Sequence, residues 1–290
     1  MGHPDYNSPS ELKNFLDSHE MGMQKKFGQN FMINEAARKR IIESLKLTAS
    51  DSVWEIGPGL GCMTELILES NAKLTVFEID RGFISCLKEF FSDKLSSGSF
   101  SIVEGDVLKN WKKQKNENPA VKLFGNLPYN IAATFIADTI ADGLVFDRCV
   151  FTVQKEVAMR MWAKPKDENY SSFSVLCQYF YDVEKGFELG PGNFWPKPNV
   201  SSHSVIFTKK QDFKSTCSTA AFVKMVHALF SARRKTIANN IKSILNSDIN
   251  ADDFFERAGI DKGLRAETLS TDDFIRLTTV YEEMNNKKGE

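Results

Sequence analysis

The sequence lacks several features that would assign it to a secreted, metal-binding or membrane-embedded class. Its five cysteines form no C-x-x-C pair and its four histidines have no metal-ligand spacing, so neither a disulfide framework nor a metal site is predicted. No apolar run is long enough to span a bilayer, and no apolar signal region follows the N-terminus. We therefore expect a cytoplasmic protein that has no membrane partner and binds no metal.

An excess of charge of one sign is also missing, since the formal net charge is −1. A surface that binds nucleic acid would therefore have to be local. Residues 224–242 contain five basic residues and no acidic ones, and Lys25 and Lys26 form a second basic point. Such a run is either a solvated helix face or a set of phosphate contacts.

Strand and helix patterns alternate over the first two thirds of the chain. Short apolar runs predict buried strands, and amphipathic segments between them predict helices. The runs lie at residues 53–56, 74–79, 100–103, 121–124 and 149–153. This order is typical of an α/β fold with a mostly parallel sheet. Two longer alternating segments, 179–189 and 203–208, predict an antiparallel strand pair at the end of that sheet.

Three regions follow from these patterns. Residues 1–23 are polar and predict a flexible extension with a short helix near residues 10–18. Residues 24–210 form the α/β domain. Residues 211–290 begin with a polar linker and then have helical patterns, so we expect a small all-helical domain.

A glycine-rich turn follows the first predicted strand. Residues 55–61 read Glu-Ile-Gly-Pro-Gly-Leu-Gly, which differs from the G-x-G-x-x-G dinucleotide fingerprint and from a P-loop. Glycines at this point let the backbone turn tightly beside a ligand. Glu78 and Asp106 end the second and third strands, where they can bind ribose hydroxyls and an adenine amine. Because parallel strands end at one edge of the sheet, we expect these groups to share a site.

The fourth strand ends in Asn126-Leu127-Pro128-Tyr129. The asparagine side chain and the leucine carbonyl can accept hydrogen bonds from the exocyclic amine of a base. The proline stiffens the turn, and the tyrosine offers a face on which a base can stack. This motif alone is more often a plain loop, and its position after the glycine turn, Glu78 and Asp106 favours the functional interpretation.

The ordered set resembles the class I, Rossmann-like methyltransferases that use S-adenosylmethionine, and a NAD-dependent enzyme is a poor second interpretation. The sequence is more closely similar to the KsgA-type ribosomal RNA adenine dimethyltransferases. That resemblance runs from about residue 24 to Ser270 and rests on residues 25–31, 55–64, 78–81, 105–106, 124–131, 154–158, 194–202 and 230–239.

The resemblance implies dimethylation of N6 on two adjacent adenosines in the 3′-terminal hairpin loop of 16S ribosomal RNA, within a pre-30S particle. S-adenosylmethionine would be the donor, S-adenosylhomocysteine the product, and the protein a monomer. It implies donor contacts at Asn30, Met32, Glu55, Gly57, Gly59, Gly61, Glu78, Asp106 and Asn126. It places the target base at Asn126, Leu127, Pro128 and Tyr129. The local positive charge makes Lys25, Lys26, Arg233, Arg234 and Lys235 the candidates for contacts with RNA phosphates. Met32 replaces a leucine usual in the family, a change that a backbone contact would survive.

Two rival interpretations stay open. An Erm-type enzyme would carry out the same chemistry on 23S ribosomal RNA. Residues 230–239, 259–261 and 265–267 in the predicted helical domain favour the small-subunit substrate. A non-catalytic ribosome-assembly or transcription factor could retain the fold, although the complete set of predicted site residues argues against lost catalysis.

Overall fold

The structure is a computed structural model that describes residues 2–21, 30–127 and 129–286, apart from the side chains of residues 129, 130 and 286. The strands are β1 (Phe31–Met32), β2 (Ser52–Ile56), β3 (Lys73–Glu78), β4 (Phe100–Glu104), β5 (Lys122–Asn126), β6 (Arg148–Gln154), β7 (Tyr181–Leu189), β8 (Phe194–Trp195) and β9 (Ser202–Lys209). The helices before β6 are α1 (Pro9–Ser18), α2 (Glu35–Ser44), α3 (Cys62–Glu69), α4 (Arg81–Phe90), α5 (Ser92–Ser96), α6 (Val107–Glu117) and α7 (Tyr129–Ala141). The later helices are α8 (Lys155–Trp162), α9 (Ser172–Phe180), α10 (Thr219–Phe230), α11 (Ile237–Asn240), α12 (Ala251–Ala258) and α13 (Thr271–Asn286).

The main sheet has seven strands in the order β4-β3-β2-β5-β6-β9-β7. The pairs β2–β3, β3–β4, β2–β5 and β5–β6 are parallel, and β9 runs antiparallel to β6. The predicted α/β class, the mostly parallel sheet and the antiparallel addition at its end are thereby confirmed. Glu78 pairs with Glu104 and Asn126 with Thr152, so these strands do end at a common edge.

Local sequence signals explain how several helices begin. Asn34 caps α2 because its side-chain oxygen accepts the Ala37 N–H at 3.0 Å. Asp80 and Asp106 cap α4 and α6 in the same way, so each helix starts directly after a strand of the sheet. The chain therefore turns sharply at this edge, which brings the polar residues of the turns together.

Two predicted elements differ from the structure. The strand expected from residue 179 begins at Tyr181, because residues 172–180 form α9, which begins at a capping box of Ser171 and Ser174. In the region with helical patterns, residues 236–245 do not form one helix but are divided into α11 and a short 3-10 turn at Ile241–Ser243. Both segments are apolar enough to suit either structure, and tertiary packing decides between them.

The chain groups into two compact units. The sheet unit comprises Met1–Phe135, Phe146–Ala158 and Glu184–Thr208, and the C-terminal unit comprises Ile136–Val145, Met159–Val183 and Lys209–Glu290. This division differs from a single boundary at residue 210. The reason lies within the C-terminal unit, where α9 packs against α10 and α13 and so joins residues 159–183 to the later helices.

The prediction of a flexible N-terminal extension is wrong for residues 2–21. This segment contains α1, and its residues Tyr6, Leu12 and Leu16 are buried in the hydrophobic core of the sheet unit. The sequence predicts a short helix near residues 10–18, but only the packed structure shows what its buried side chains contact. None of the described helices is long and apolar enough to cross a membrane.

Candidate active site

A cavity of about 370 Å³ lies at the carboxyl ends of β2, β3 and β5, within the sheet unit. This volume falls in the range of small-molecule and cofactor sites. Eight of the nine predicted donor residues line it: Asn30, Met32, Glu55, Gly57, Gly59, Glu78, Asp106 and Asn126. Leu127 lines it as well. Its apolar lining, which sequence patterns alone did not mark as site residues, includes Phe31, Cys62, Met63, Phe77, Phe83 and Ile131.

The glycine-rich turn uses glycine for conformation and for close packing. Gly57 and Gly59 have φ values of +70° and +58°, which L-residues with side chains rarely adopt. A Cβ atom on Gly59 would lie 3.3 Å from the Phe31 ring. Gly61 is different, because it is not among the residues that line the cavity. Its φ is +91° and a Cβ there would lie 2.7 Å from the Phe91 ring, so its role is to let α3 pack.

Backbone N–H groups from two turns hold the carboxylate of Glu78. Its Oε1 accepts the N–H groups of Ile79 and Asp80 at 2.7 and 2.8 Å, and its Oε2 accepts the Gly59 N–H at 3.1 Å. Burial raises the pKa of this carboxyl, and the three N–H groups act in the opposite direction. A carboxylate oxygen offers about two acceptor directions, and among the described residues Oε2 uses one of them, so it could accept a further hydrogen bond from a ligand.

Glu55 lies at the base of the cavity and is only 1% exposed. Its Oε2 accepts the Thr64 hydroxyl at 2.7 Å. Burial raises the pKa of this carboxyl to about 8, against the effect of that hydrogen bond. Glu55 is therefore mainly protonated at neutral pH, so it is a neutral group that can donate as well as accept a hydrogen bond.

Asp106 combines two roles, of which the sequence indicated one. Its Oδ1 caps α6 by accepting the Leu108 N–H at 3.0 Å. Gly105, with φ of +109°, donates its N–H to the Glu78 carbonyl at 2.7 Å and so joins this turn to the end of β3. Among the described residues the second carboxylate oxygen of Asp106 has no hydrogen-bond donor, so it could accept a hydrogen bond from a ligand, and its contact with an adenine amine stays a prediction.

Asn126 and Leu127 close the cavity from β5. The Asn126 amide nitrogen points to the Asn30 carbonyl at 3.4 Å, in the assigned orientation of that amide. Its Oδ1 is then the atom that can accept a hydrogen bond from a substrate amine. Leu127 donates its N–H to the Thr152 carbonyl at 3.1 Å. Pro128 and the Tyr129 side chain lie outside the described part of the chain, so base stacking by Tyr129 stays a prediction.

The predicted phosphate contacts have different surroundings. Lys25 and Lys26 lie outside the described residues. Arg233 is half exposed, and within the C-terminal unit it donates to Glu267 Oε2 at 2.8 Å and to the Glu168 carbonyl at 3.0 Å. Arg234 and Lys235 are exposed and have no ion-pair partner among residues 2–21, 30–127 and 129–286. The same described ranges contain no cluster of three potential metal ligands.

Comparisons with known proteins agree with this geometry. A model of the family described as ribosomal RNA adenine dimethylase matches residues 21–283. The chain is 47% identical over 281 residues to ribosomal RNA small subunit methyltransferase A of Treponema denticola, with 96% of each chain covered.

Solved structures give the same result for the fold. A dimethyladenosine transferase from Plasmodium falciparum matches with a TM-score of 0.72 and 25% identity, over 88% of this chain and 97% of that one. The 23S rRNA methyltransferase ErmE has a TM-score of 0.61 at 18% identity, over 86% and 98%, which shows a shared fold. The chain belongs to the ribosomal RNA adenine dimethylase family.

Proposed function

We propose that this protein transfers methyl groups from S-adenosylmethionine to N6 of two adjacent adenosines in the 3′-terminal hairpin loop of 16S ribosomal RNA. One observation carries the proposal. The glycine-rich turn, Glu78, Asp106 and Asn126 meet at one cavity of about 370 Å³, as the family resemblance implies. The name of the Treponema denticola relative supports the small ribosomal subunit as the substrate class.

The chemistry of the lining residues fits the donor. Glu78 Oε2 has an acceptor direction for a ribose hydroxyl, and Asp106 has a second oxygen for the adenine amine. The apolar rings of Phe77 and Phe83 border the same space. When bound there, S-adenosylmethionine supplies a methyl group on a positively charged sulfur. A neutral Glu55 avoids placing another full negative charge beneath the site.

Asn126 and Leu127 would act on the target amine. The N6 lone pair of adenine is delocalised into the ring, so the amine is a poor nucleophile. Acceptors at Asn126 Oδ1 and the Leu127 carbonyl would aim that lone pair and stabilise the positive charge that develops on nitrogen. Positioning of this kind can supply about 7–11 kcal/mol of the barrier reduction. The N6 proton can leave to water afterwards, so no general base is required.

RNA selection would depend on residues beyond the cavity. Arg234 and Lys235 supply exposed positive charge, Lys25 and Lys26 add to it, and Arg233 would do so only in part because it is ion-paired. We assign residues 211–290 to RNA recognition by shape, as is common for structured RNA. The substrate would be a pre-30S particle in the cytoplasm, and the protein would act as a monomer.

The experiment is incubation of the purified protein with labelled S-adenosylmethionine and either under-methylated small subunits or large subunits, followed by mapping of the modified nucleotides. We expect label on two adjacent adenosines of 16S ribosomal RNA. Label on 23S ribosomal RNA would instead show an Erm-type enzyme. Binding to small subunits without any transfer of label would show a non-catalytic assembly factor.

A further inference from the structure

The N-terminal segment, residues 2–21, is hydrogen-bonded to the glycine-rich turn of the cavity. The Tyr6 hydroxyl donates to the Leu60 carbonyl at 2.8 Å, although the two residues are 54 positions apart. Tyr6 is only 5% exposed and Leu60 only 1%. Gly57 and Gly59, which precede Leu60 in the same turn, line the cavity itself. Tyr6 does not line the cavity, so any effect on a ligand would act through Leu60.

The glycine-rich turn needs such a hydrogen bond because its glycines give the backbone a large conformational freedom. Glycines lose the most conformational freedom when they are ordered, and three of the five residues from Gly57 to Gly61 are glycines with positive φ. On the strand side, Gly57 donates to the Phe77 carbonyl and Gly59 donates to Glu78. The Tyr6 hydroxyl holds the turn from the opposite end, and its loss would leave a buried carbonyl without its donor.

The residue next to Tyr6 is linked to a second wall of the cavity. Arg38 is 4% exposed and donates to the Met32 carbonyl at 2.7 Å and to the Asn7 side-chain oxygen at 2.8 Å. Its guanidinium carbon lies 5.9 Å from the centre of the Tyr6 ring. Met32 lines the cavity from β1. Two consecutive residues, Tyr6 and Asn7, therefore connect to both the glycine-rich turn and β1.

We infer that Tyr6 is a positioning residue for the methyl donor. Its hydrogen bond to Leu60 preorganises the glycine-rich turn that receives the donor. The inference rests on the proposed use of S-adenosylmethionine at this cavity. Preorganisation raises affinity because the ligand no longer has to order the chain that binds it. Residues 2–20 precede the segment that the family model matches, and they contain no motif of the resemblance.

The test compares the wild type with Tyr6→Phe by calorimetric titration with S-adenosylhomocysteine. The variant removes one hydroxyl and keeps the buried ring. Because a net hydrogen bond is worth roughly a factor of two to ten in an equilibrium, we expect about two- to tenfold weaker binding. An unchanged dissociation constant would overturn the inference and leave the proposed function intact. No binding by the wild type would instead remove the proposed function, and the inference with it.

Tyr170→Phe is a matched control. Tyr170 is 1% exposed, and its hydroxyl donates to the Leu269 carbonyl at 2.8 Å within the C-terminal unit. Both variants therefore lose one buried tyrosine-to-carbonyl bond, and we expect similar decreases in Tm. Only Tyr6→Phe should weaken donor binding. Equal weakening of donor binding in both variants would show that Tyr6 acts only through overall stability. This result would overturn its assignment as a positioning residue.

Kinetics and hydrogen exchange measure quantities that would not change if Tyr6 contributed only to overall stability. In Tyr6→Phe, KM for the donor should rise about two- to tenfold, while kcat at saturating donor and KM for RNA stay unchanged. In the wild type, S-adenosylhomocysteine should slow amide exchange in residues 57–61 and 2–12 together, because ordering the turn strengthens the bond to Tyr6. Protection confined to residues 57–61 would contradict the inference without requiring any variant to fold.

Discussion

At the scale of single residues, Asn126 has the most direct link to the proposed chemistry. Its amide nitrogen is directed to the Asn30 carbonyl, which orients Oδ1 as an acceptor. We expect Asn126→Ala to lower kcat by about 100-fold or more, the typical effect of removing one group that stabilises developing charge. RNA affinity should stay within about twofold, because RNA binding depends mainly on phosphate contacts. Single-turnover rates and filter-binding isotherms measure the two quantities, and weakened RNA binding with intact turnover would contradict this role.

Glu55 gives a prediction about pH. Its pKa is raised to about 8 in the folded protein, above the ordinary value of 4.5 that applies to the unfolded chain. Between these values the folded state binds more protons than the unfolded state, so stability falls as pH rises from about 4.5 to 8.

Glu55→Gln cannot ionise and retains an oxygen to accept the Thr64 hydroxyl. We expect the variant to match the wild type in urea unfolding near pH 5 and to be more stable at pH 8, by roughly a few kcal/mol. Parallel stability curves for the two proteins over this window would show that Glu55 is ionised in the folded state.

At the scale of elements, the core strands that carry the site could be predicted, and the helix caps beside it and the edges of the C-terminal unit could not. Strands β2 to β6 contain short apolar runs, and a glycine, acid or asparagine ends or directly follows each strand from β2 to β5, so pattern and spacing suffice. Residues 172–180 have apolar side chains at six of nine positions, which suits a helix or a strand, and packing against α10 and α13 selects α9. The capping role of Asp106 was missed because an aspartate directly after a strand suits a helix cap and a ligand contact equally well.

Gly61 supplies a test of how α3 begins. Gly61→Ala would place a residue with a side chain at φ of +91° and a Cβ 2.7 Å from the Phe91 ring. Gly98→Ala is the control, since its φ is +75° and nothing lies within 4 Å of its Cβ position. Both should lose about 1–2 kcal/mol of stability from backbone strain. Gly61→Ala should lose a further 1–3 kcal/mol or so from overpacking. Equal unfolding free energies would show that Phe91 moves aside freely.

At the scale of the whole molecule, the net charge of −1 conceals an uneven distribution. Arg234 and Lys235 are exposed, whereas Arg233 is bonded to Glu267 and to backbone carbonyls of the same unit. The double variant Arg234→Glu, Lys235→Glu should therefore weaken RNA binding and flatten its dependence on salt. The slope should fall by about 0.7–0.9 for each phosphate that the variant no longer neutralises.

Arg233→Ala is the comparison, and it should mainly lower the stability of the C-terminal unit. Binding of a helix-loop RNA from 50 to about 200 mM salt measures the slopes, and thermal unfolding measures stability. An unchanged slope in the double variant would make this stretch a solvated surface without a part in RNA binding.

The division into units was also beyond prediction from sequence. Residues 136–145 and 159–183 are separated along the chain from the C-terminal helices, and only the packing of α9 against α10 and α13 shows that the latter segment belongs with them. The N-terminal segment gives the same lesson within the sheet unit. Its polar composition predicted flexibility, whereas Tyr6, Leu12 and Leu16 are part of the core.

Two of the three acids that line the cavity have a consequence for control of the reaction. Under the proposed function, Glu78 and Asp106 would hold a ribose and an adenine, which are the same in the methyl donor and in its spent product. Affinity gained from them therefore cannot favour fresh donor over used donor. An enzyme built in this way would slow as spent donor accumulates, so its rate would depend on the ratio of donor to spent donor in the cell. Ribosome modification would then follow the supply of methyl groups.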